Sequence, residues 1–551
     1  MKPTVVPSHW AEKWAWILLV ALAWLAGFGL SYWDQDEAAY AGFAWTMLES
    51  GNWLVPEFLW SEIHRKPPLL FWSIASSFEL LGIHEWTVRL PSLLALIGTV
   101  LLVRYQAATT FGTPVARISA WLLAANIFLP HLAKLGVTDA LLLFFETLAA
   151  LSLVNFFHQP RLRHQVLFTL GTAGALLTKG PPVLILTFGM LGLILLFSPE
   201  RKSILKFHPW LLFPLAAIPL FVWGRMAWVN DGGVLISWMV DWYTLRRVGS
   251  DVLGQTGPPG YHLLVLAIGF LPALAFVPGA FAHHLRQIGL KKRPFKPFML
   301  IAWAISGWVI YEIMKSKLPT YAIGAYPAIA LMIGTYVHEI TAEIGAKSPR
   351  LNWGSALYLL LSITLAVSLP LLVKAPVEGK LLFPAGALTT AYVMATAWMI
   401  LALLVVWLLA KSQFAWAFRG MLLQSSVFLL LAWHLLVPSI EPQRAATQKV
   451  AIFAAENSHG LPVLLSSNFQ LPSLPFYLLA NQAKFQEAPE TSDWIKALAN
   501  QKQLLVFNSS NIQALSELAS QKGLGYRIEK EIPGFISDRG KFTTWYLVRG
   551  Q

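Results

Sequence analysis

The fold is decided by a long apolar run and the acidic cluster that follows it. Residues 14–37 read WAWILLVALAWLAGFGLSYWDQDE. The apolar part, Trp14 to Tyr32, is long enough as a helix to cross a hydrocarbon layer about 30 Å thick. It is too long for the apolar region of a cleaved signal peptide, so we interpret it as a retained signal anchor. Asp34, Asp36 and Glu37 then stand at the end of this span.

The rest of the chain is similarly apolar. Its 551 residues are 56% hydrophobic and 13% charged, with a mean hydropathy of +0.57. Soluble globular proteins carry about 25% charged residues, so we predict a polytopic α-helical membrane protein. Apolar runs of roughly 17 to 25 residues predict about thirteen spans. Their centres lie near Leu22, Leu96, Ala124, Leu148, Leu170, Leu186, Pro219, Ile268, Ile305, Leu331, Leu361, Ile400 and Leu429. We expect Pro214 and Pro219 to make the seventh span irregular.

Lysine and arginine in the short loops indicate the orientation. Four basic segments fall on one side of the membrane if the N-terminus is cytoplasmic: 158–164, 199–208, 285–296 and 411–419. Asp36, the loop 229–261 and the tail after residue 437 then lie on the outer side. The net charge of +13 is explained by the inside loops, and we expect no nucleic-acid binding. The absence of cysteine excludes disulfides and thiol chemistry.

Composition divides the chain into two domains. Residues 1–440 form the predicted transmembrane domain, whose first outer loop, 33–89, has the pattern of helices on the membrane surface. The outer loop 229–261 is expected to be flexible. Residues 441–551 predict a soluble α/β domain that we interpret as a scaffold or acceptor-docking module. Its strands are expected at Val463 to Leu465, Leu504 to Phe507, Tyr526 to Ile532 and Phe542 to Val548, with helices at Ala446 to Asn457, Asp493 to Gln501 and Asn511 to Lys522.

Acidic residues at outer helix ends are the first candidates for catalysis. Asp36 and Glu37 can stay ionised there, and a carboxylate can accept a proton from an acceptor or orient it for attack. Asp139 opens the fourth span beside Thr138. The alternative roles are structural: solvated helix ends for Asp36 and Glu37, and a helix N-cap for Asp139.

Lysine and arginine are usually concentrated in the cytoplasmic loops, so basic residues on the outer side call for an explanation. They predict a site for an anionic lipid head group. Lys66 directly precedes Pro67-Pro68, and Lys179 is separated from Pro181-Pro182 by Gly180 alone. A lysine held at a helix start suits a phosphate, although the same pattern also serves simply to begin a helix. The remaining candidates on this side are Arg246, Arg247, Tyr261, Lys315, Lys317 and Tyr321.

A series of short motifs resembles the protein O-mannosyltransferase superfamily. They are DEAAYA at 36–41, MLESGNW at 47–53, KPPLLFW at 66–72, RLPS at 89–92, SKLPTY at 316–321 and YPA at 326–328. Within it, the chain is most similar to the bacterial transferases that move 4-amino-4-deoxy-L-arabinose from undecaprenyl phosphate onto lipid A. The resemblance implies the GT-C fold: many membrane helices, interfacial helices in the first outer loop and a C-terminal soluble domain. It also implies an inverting glycosyltransferase of the bacterial inner membrane, with a periplasmic C-terminal domain.

The resemblance assigns roles to individual residues. Asp36 matches the acid that is essential for catalysis, and Asp139 matches an acid of the second outer loop. The residues that it implies in binding the carrier are Lys66, Arg246 or Arg247, Lys317 and Tyr321. Cations would stabilise the departing polyprenyl phosphate while Asp36 orients the acceptor, or deprotonates it if the acceptor is a hydroxyl.

Two positions depart from the aminoarabinose transferases. This chain has Arg65 where those enzymes have a glutamate, and Gln255 where they have a histidine. In those enzymes the two side chains can hold a metal. A guanidinium cannot ligate a cation and an amide is a poor substitute for imidazole, so we predict no metal and no other cofactor. We interpret the nearby His64 and His262 as interfacial histidines.

The departures leave the sugar and the acceptor open. The expected partners are membrane lipids, a polyprenyl phosphate-linked sugar, and lipid A or another envelope acceptor, and we expect a monomer. One alternative is a related transferase that moves a mannosyl or other hexosyl group onto protein or another envelope glycan. A lipid-linked sugar transporter would instead place charges near mid-membrane, whereas these candidates lie at helix ends. A third possibility is a membrane anchor for a sensing C-terminal domain, for which the long charged first loop would be superfluous.

Overall fold

Helices make up most of the protein. The structure, a computed structural model, describes residues 10–59, 61–242, 256–289, 294–342, 353–466, 471–488, 490–537 and 539–551. The helices before residue 243 are α1 (Trp10–Leu25), α2 (Asp36–Ser50), α3 (Leu69–Leu81), α4 (Glu85–Phe111), α5 (Thr113–Ala124), α6 (Phe128–Leu132), α7 (Thr138–His158), α8 (Leu162–Lys179), α9 (Pro182–Phe197), α10 (Ser203–Phe207), α11 (Pro209–Asp231) and α12 (Val234–Met239). The later helices are Tyr261–Gly269, Val277–Gly289, Phe295–Ser306, Val309–Ile313, Tyr326–Ala342, Trp353–Lys374, Ala385–Ala410, Phe414–Leu431, Glu441–Arg444, Ala446–Asn457, Ser473–Ala480, Thr491–Ala499 and Ile512–Lys522.

The helices confirm a multi-pass membrane protein. Every predicted span centre lies within a helix. Across the described ranges, six helices are individually long and apolar enough to cross a membrane, and the pair Pro182–Phe197 and Pro199–Phe207, bent by 112°, would make a seventh. The number of spans remains a prediction, since several of the other helices are shorter than the hydrocarbon thickness requires.

Helix α11 corrects one prediction. It runs without interruption from Pro209 to Asp231, so the irregular span expected from Pro214 and Pro219 is wrong. A membrane helix tolerates proline where neighbouring groups satisfy the freed carbonyls.

Helix α7 lies at the centre of the membrane part and packs against α4 and α8. In its most apolar window, 89% of the residues are buried. Helix α8 approaches closely because Gly171 has no side chain, and a Cβ there would stand 2.7 Å from the backbone nitrogen of Ala149. Small residues allow this contact between membrane helices. The crossing brings Asp139, in the first turn of α7, next to Lys179, the last residue of α8.

Beyond a short hairpin of β1 (Pro376–Val377) and β2 (Lys380–Leu381), the strands form one C-terminal mixed sheet. Its strands are β3 (Val463–Ser466), β4 (Phe485–Ala488), β5 (Leu505–Asn508), β6 (Tyr526–Ile536) and β7 (Lys541–Gly550), in the order β4-β3-β5-β7-β6. Strand β3 is parallel to β4 and β5, while β7 is antiparallel to β5 and β6. The sequence patterns predict four of these strands and miss β4, a short edge strand that contains two polar residues.

The C-terminal unit rests on the segment that leads to Asp36. Helix α2 shares a hydrophobic cluster with α3 and with the helices and strands after residue 445. The Tyr477 hydroxyl accepts a hydrogen bond from the Tyr32 amide at 3.0 Å. The Ser473 hydroxyl and amide donate to Asp34 at 2.7 and 3.1 Å. The C-terminal unit therefore holds the backbone that immediately precedes α2.

Candidate active site

Asp36 stands in the first turn of α2, with its side chain 56% exposed. His64, in the turn Glu62–His64, places Nδ1 2.6 Å from Asp36 Oδ1. Desolvation raises the pKa of Asp36, but the hydrogen bond from His64 and the charges of Lys66 and Lys179 outweigh it, so the pKa is about 2. Since the carboxylate is ionised at neutral pH, His64 Nδ1 is the donor.

The interpretation of His64 as an interfacial histidine did not include this contact with Asp36. The ring is only 10% exposed and lies behind the more exposed carboxylate of Asp36. Sequence reasoning missed its role because a separation of 28 residues gives no periodic signal. The only nearby motif in the sequence is KPP at 66–68, two residues further along the chain.

A cavity of about 650 Å³ brings several predicted residues together. Lys66, Asp139, Lys179 and Tyr321 all line it, among mostly apolar side chains of α9, α11 and α12. Lys179 Nζ lies 2.8 Å from Asp139 Oδ1 and 5.4 Å from the centre of the Tyr321 ring. Cations at an apolar wall suit an amphiphile that carries a phosphate.

Glu37 occupies a different position from the one that a catalytic role requires. Its side chain is 1% exposed, and Arg89 donates to both of its oxygens at 2.8 and 2.9 Å. The amides of Trp33 and Gly136 donate to the same carboxylate at 2.9 and 2.8 Å. We therefore correct its assignment: Glu37 is a positioning residue that ties the start of α2 to the segment leading to Asp139.

Lys317 is also a positioning residue. Its ammonium group, 4% exposed, donates to the Glu312 carbonyl at 2.7 Å, to Glu312 Oε1 at 3.2 Å and to the Pro258 carbonyl at 3.3 Å. Desolvation raises the pKa of Glu312, but bonds from Trp308, Lys317 and the Gly260 amide lower it to about 2. With its donors used in this way, Lys317 holds residues 258–260 rather than facing the cavity, contrary to the prediction of a phosphate contact.

His262 is also engaged by specific partners. It is fully buried in the helix Tyr261–Gly269, with Nε2 3.0 Å from the Leu318 carbonyl and Nδ1 3.5 Å from Glu312 Oε2. Tyr261, a further predicted candidate, is partly buried beside this ring, at 5.2 Å between ring centres. Arg246 and Arg247 lie outside the described residues.

Two charged residues that line the cavity were not among the predicted candidates. Glu146 lies in the middle of α7, and Arg225 lies towards the end of α11. A signal for both exists in the sequence, because an ionisable residue inside an apolar span is a candidate for function by default. Neither stands at a helix end, where the predicted candidates lie.

The prediction of no metal rests on Arg65 and Gln255. Arg65 Nε donates to the Pro56 carbonyl at 2.9 Å. In the part of the chain that the structure describes, no three histidine or carboxylate side chains are grouped so that they could hold a metal ion. Gln255 lies outside that part, so a site without metal remains a prediction.

The chain is similar in sequence to a family model and to several known proteins. Residues 65–224 match the family model described as dolichyl-phosphate-mannose-protein mannosyltransferase. The chain is 28% identical over 341 residues to the undecaprenyl phosphate-α-4-amino-4-deoxy-L-arabinose arabinosyl transferase of Edwardsiella ictaluri, covering 59% of this chain and 58% of that protein. It is 27% identical over 361 residues to the enzyme of the same name from Pectobacterium carotovorum, covering 61% of each chain. The match thus spans less than two thirds of the length of these relatives.

The fold comparison covers almost the whole chain. The crystal structure of ArnT from Cupriavidus metallidurans bound to undecaprenyl phosphate superposes with a TM-score of 0.76, at 18% identity, over 98% of this chain and 98% of that chain. The same protein in the apo state gives a TM-score of 0.74. These comparisons confirm that the chain is similar to the aminoarabinose transferases and that it has the GT-C fold.

Proposed function

We propose that this protein is a glycosyltransferase that moves 4-amino-4-deoxy-L-arabinose from undecaprenyl phosphate to a phosphate group of lipid A, at the periplasmic face of the bacterial inner membrane. The observation that carries the proposal is that Lys66, Asp139 and Lys179 line one largely apolar cavity, and that Asp36 is close enough to Lys66 and Lys179 for their charges to act on it. The names of the related enzymes supply the sugar and the carrier.

The carrier end of the reaction is supported by the cations. When the acceptor oxygen attacks the anomeric carbon, the bond from that carbon to the phosphate oxygen breaks, and its electron pair leaves on the polyprenyl phosphate. Lys66 and Lys179 are placed to stabilise this charge, and the apolar wall of α9 and α11 can shelter the first isoprene units. Inversion at the anomeric carbon follows from attack on the face opposite the phosphate.

The acceptor end is supported by the state of Asp36. A carboxylate with a pKa of about 2 is a weak base and a poor partner for deprotonating a sugar hydroxyl. It can still orient an acceptor by accepting a hydrogen bond from it. An acceptor that is already ionised, such as a lipid A phosphate, needs no base, and this favours the phosphate over a hydroxyl.

A second candidate is the transfer of a mannosyl or other hexosyl group to another envelope acceptor. It is favoured by the match of residues 65–224 to the mannosyltransferase family and by Arg65, which stands where the aminoarabinose enzymes have a glutamate. The same cavity and cations would serve it, with Asp36 acting as the base despite its low pKa.

The test is sugar transfer in vesicles. Purified protein, reconstituted with labelled undecaprenyl phosphate-aminoarabinose, is expected to release undecaprenyl phosphate only when lipid A is present. Asp36→Asn and Lys66→Ala are each expected to lower the rate at least about 100-fold. Glu200→Gln, at an exposed site in the turn Pro199–Lys202, serves as the control and should retain full activity. Transfer from a hexosyl carrier but not from the aminoarabinose carrier would establish the second candidate, and flux across sealed vesicles without transfer would contradict both.

A further inference from the structure

We propose that Glu146 is the residue that selects an amino sugar, by binding the cationic amino group of the sugar inside the cavity. The inference rests on the proposed function and adds a residue that determines which lipid-linked sugar is accepted.

Glu146 is a buried acid to which the described part of the chain offers no hydrogen-bond or ion-pair partner. Its residue is 4% exposed, it lies within the membrane helix α7, and it lines the cavity. Among the described residues, no hydrogen bond or ion pair is formed by its carboxyl group. An unpartnered ionisable group at this depth is costly, so a structural role alone does not account for it.

The turn at Gly324 leaves room for the carboxyl group of Glu146. A side chain at Gly324, in the turn Tyr321–Ala325, would bring a Cβ within 2.7 Å of Glu146 Oε2. The Gly324 backbone is held by Trp303 Nε1, which donates to its carbonyl at 2.9 Å. Glycine at this position lets the turn approach while the Glu146 carboxyl group keeps its position.

Glu146 and Asp139 lie on one face of α7. They are seven residues apart, which is two helical turns or about 10 Å along the axis. Asp139 is at the outer end, where Lys179 neutralises it at 2.8 Å. Glu146 is the deeper of the two, so a sugar whose phosphate lies at Lys66 and Lys179 can extend towards it.

The charge balance of the cavity favours an amine at Glu146. Asp139 and Lys179 form an ion pair, and Lys66 and Arg225, the other cations that line the cavity, suit the carrier phosphate. The charge of Lys179 attracts Glu146 from a distance, but Lys179 is paired with Asp139, whose negative charge repels Glu146, so no cation of the cavity is paired with Glu146 itself. A sugar ammonium group supplies that cation, whereas a neutral hydroxyl sugar would leave Glu146 uncompensated.

The experiment compares two donors that differ in charge at one atom. They are undecaprenyl phosphate-aminoarabinose and the same lipid with its amine acetylated, which is neutral. The wild-type protein is expected to use the amine with a kcat/KM at least about 100-fold higher. Glu146→Gln is expected to lower kcat/KM for the amine about 100-fold and to change that for the acetylated donor less than about threefold.

Further variants separate specificity from folding. Glu146→Asp keeps the charge and should retain the preference for the amine, at a lower rate. Gly324→Ala crowds the carboxyl group and should reduce the preference, while Gly192→Ala, where a Cβ would contact nothing within 4 Å, should not. Binding of both donors, measured as a shift in thermal unfolding, gives a readout independent of turnover.

The outcomes distinguish this inference from the proposed function. If the wild-type protein transfers sugar and Glu146→Gln keeps the full preference for the amine, the inference is wrong and the proposed function stands. If the wild-type protein transfers sugar from neither donor, the proposed function itself is wrong.

Discussion

His64 Nδ1 donates a hydrogen bond of 2.6 Å to Asp36 Oδ1. The donating ring is nearly buried, whereas the carboxylate that it holds is exposed. It lowers the pKa of Asp36 and also selects one orientation of its side chain. A carboxylate that must orient an acceptor needs a fixed direction more than it needs basicity. The bond therefore suits Asp36 to an orienting role.

Removal of His64 should test this role. We expect His64→Ala to lower kcat at least about tenfold at neutral pH, because Asp36 stays ionised but loses its orientation. His64→Asn, whose amide can donate in place of Nδ1, should restore part of the activity. His158→Ala, at an exposed position at the other end of α7, is the control. Full activity of His64→Ala would contradict the orienting role.

The same bond predicts a dependence of stability on pH. The folded-state pKa of Asp36, about 2, lies below its usual value of 3.8. Its contribution to stability is therefore complete above about pH 4 and is lost as the pH falls towards 2. In thermal unfolding between pH 2 and pH 5, His64→Ala should show a smaller acid-dependent loss than the wild-type protein. Equal pH profiles for the two proteins would show that the bond does not stabilise the fold.

The buried pair of Glu37 and Arg89 should matter for stability. Both side chains are 1% exposed or less, so Glu37→Gln leaves an uncompensated guanidinium group in the interior. We expect a loss of about 3–5 kcal/mol in the free energy of unfolding. Arg527, whose side chain is 61% exposed in its pair with Glu529, provides the control, and Arg527→Gln should cost no more than about 1 kcal/mol. Similar losses for the two variants would mean that burial does not set the cost.

Lys179 and Asp139 should separate carrier binding from catalysis. We expect Lys179→Ala to weaken binding of undecaprenyl phosphate at least about tenfold, because a cation next to the phosphate is lost. Asp139→Asn leaves that cation in place and should change the affinity less than about threefold while lowering kcat. Binding can be measured by native mass spectrometry, with Lys411→Ala, at an exposed site on the opposite side, as the control. Equal effects on affinity would place both residues in the phosphate site.

The C-terminal unit should act on the site through Asp34. Ser473→Ala removes the shorter of the two hydrogen bonds to Asp34 and should cost about 1 kcal/mol of stability. We expect a modest fall in kcat with no change in the KM for the donor, since Asp36, two residues further on, is displaced while the cavity is not. Ser510→Ala, an exposed serine of the same unit, should change neither value. A rise in KM alone would indicate instead that this unit contacts the donor.

Local patterns in the sequence determined the elements of this protein. Apolar runs predicted where its membrane helices lie, because burial in lipid requires about the same number of apolar residues in every span. The alternating patterns after Glu441 predicted four of the five strands of the sheet. The motifs at 36–41 and 66–72 were enough to select Asp36 and Lys66 and to suggest the family resemblance.

The role of each charged side chain depends on contacts that the sequence patterns did not predict. Glu37 and Asp36 are neighbours in the chain, yet one pairs with Arg89 in the interior and the other is exposed. Lys317 and Lys179 both looked suited to a phosphate, but only Lys179 lines the cavity described here. The physical reason is that the role of a charge depends on its counter-charge and its burial. Both are set by contacts between residues far apart in the chain, which no local period records.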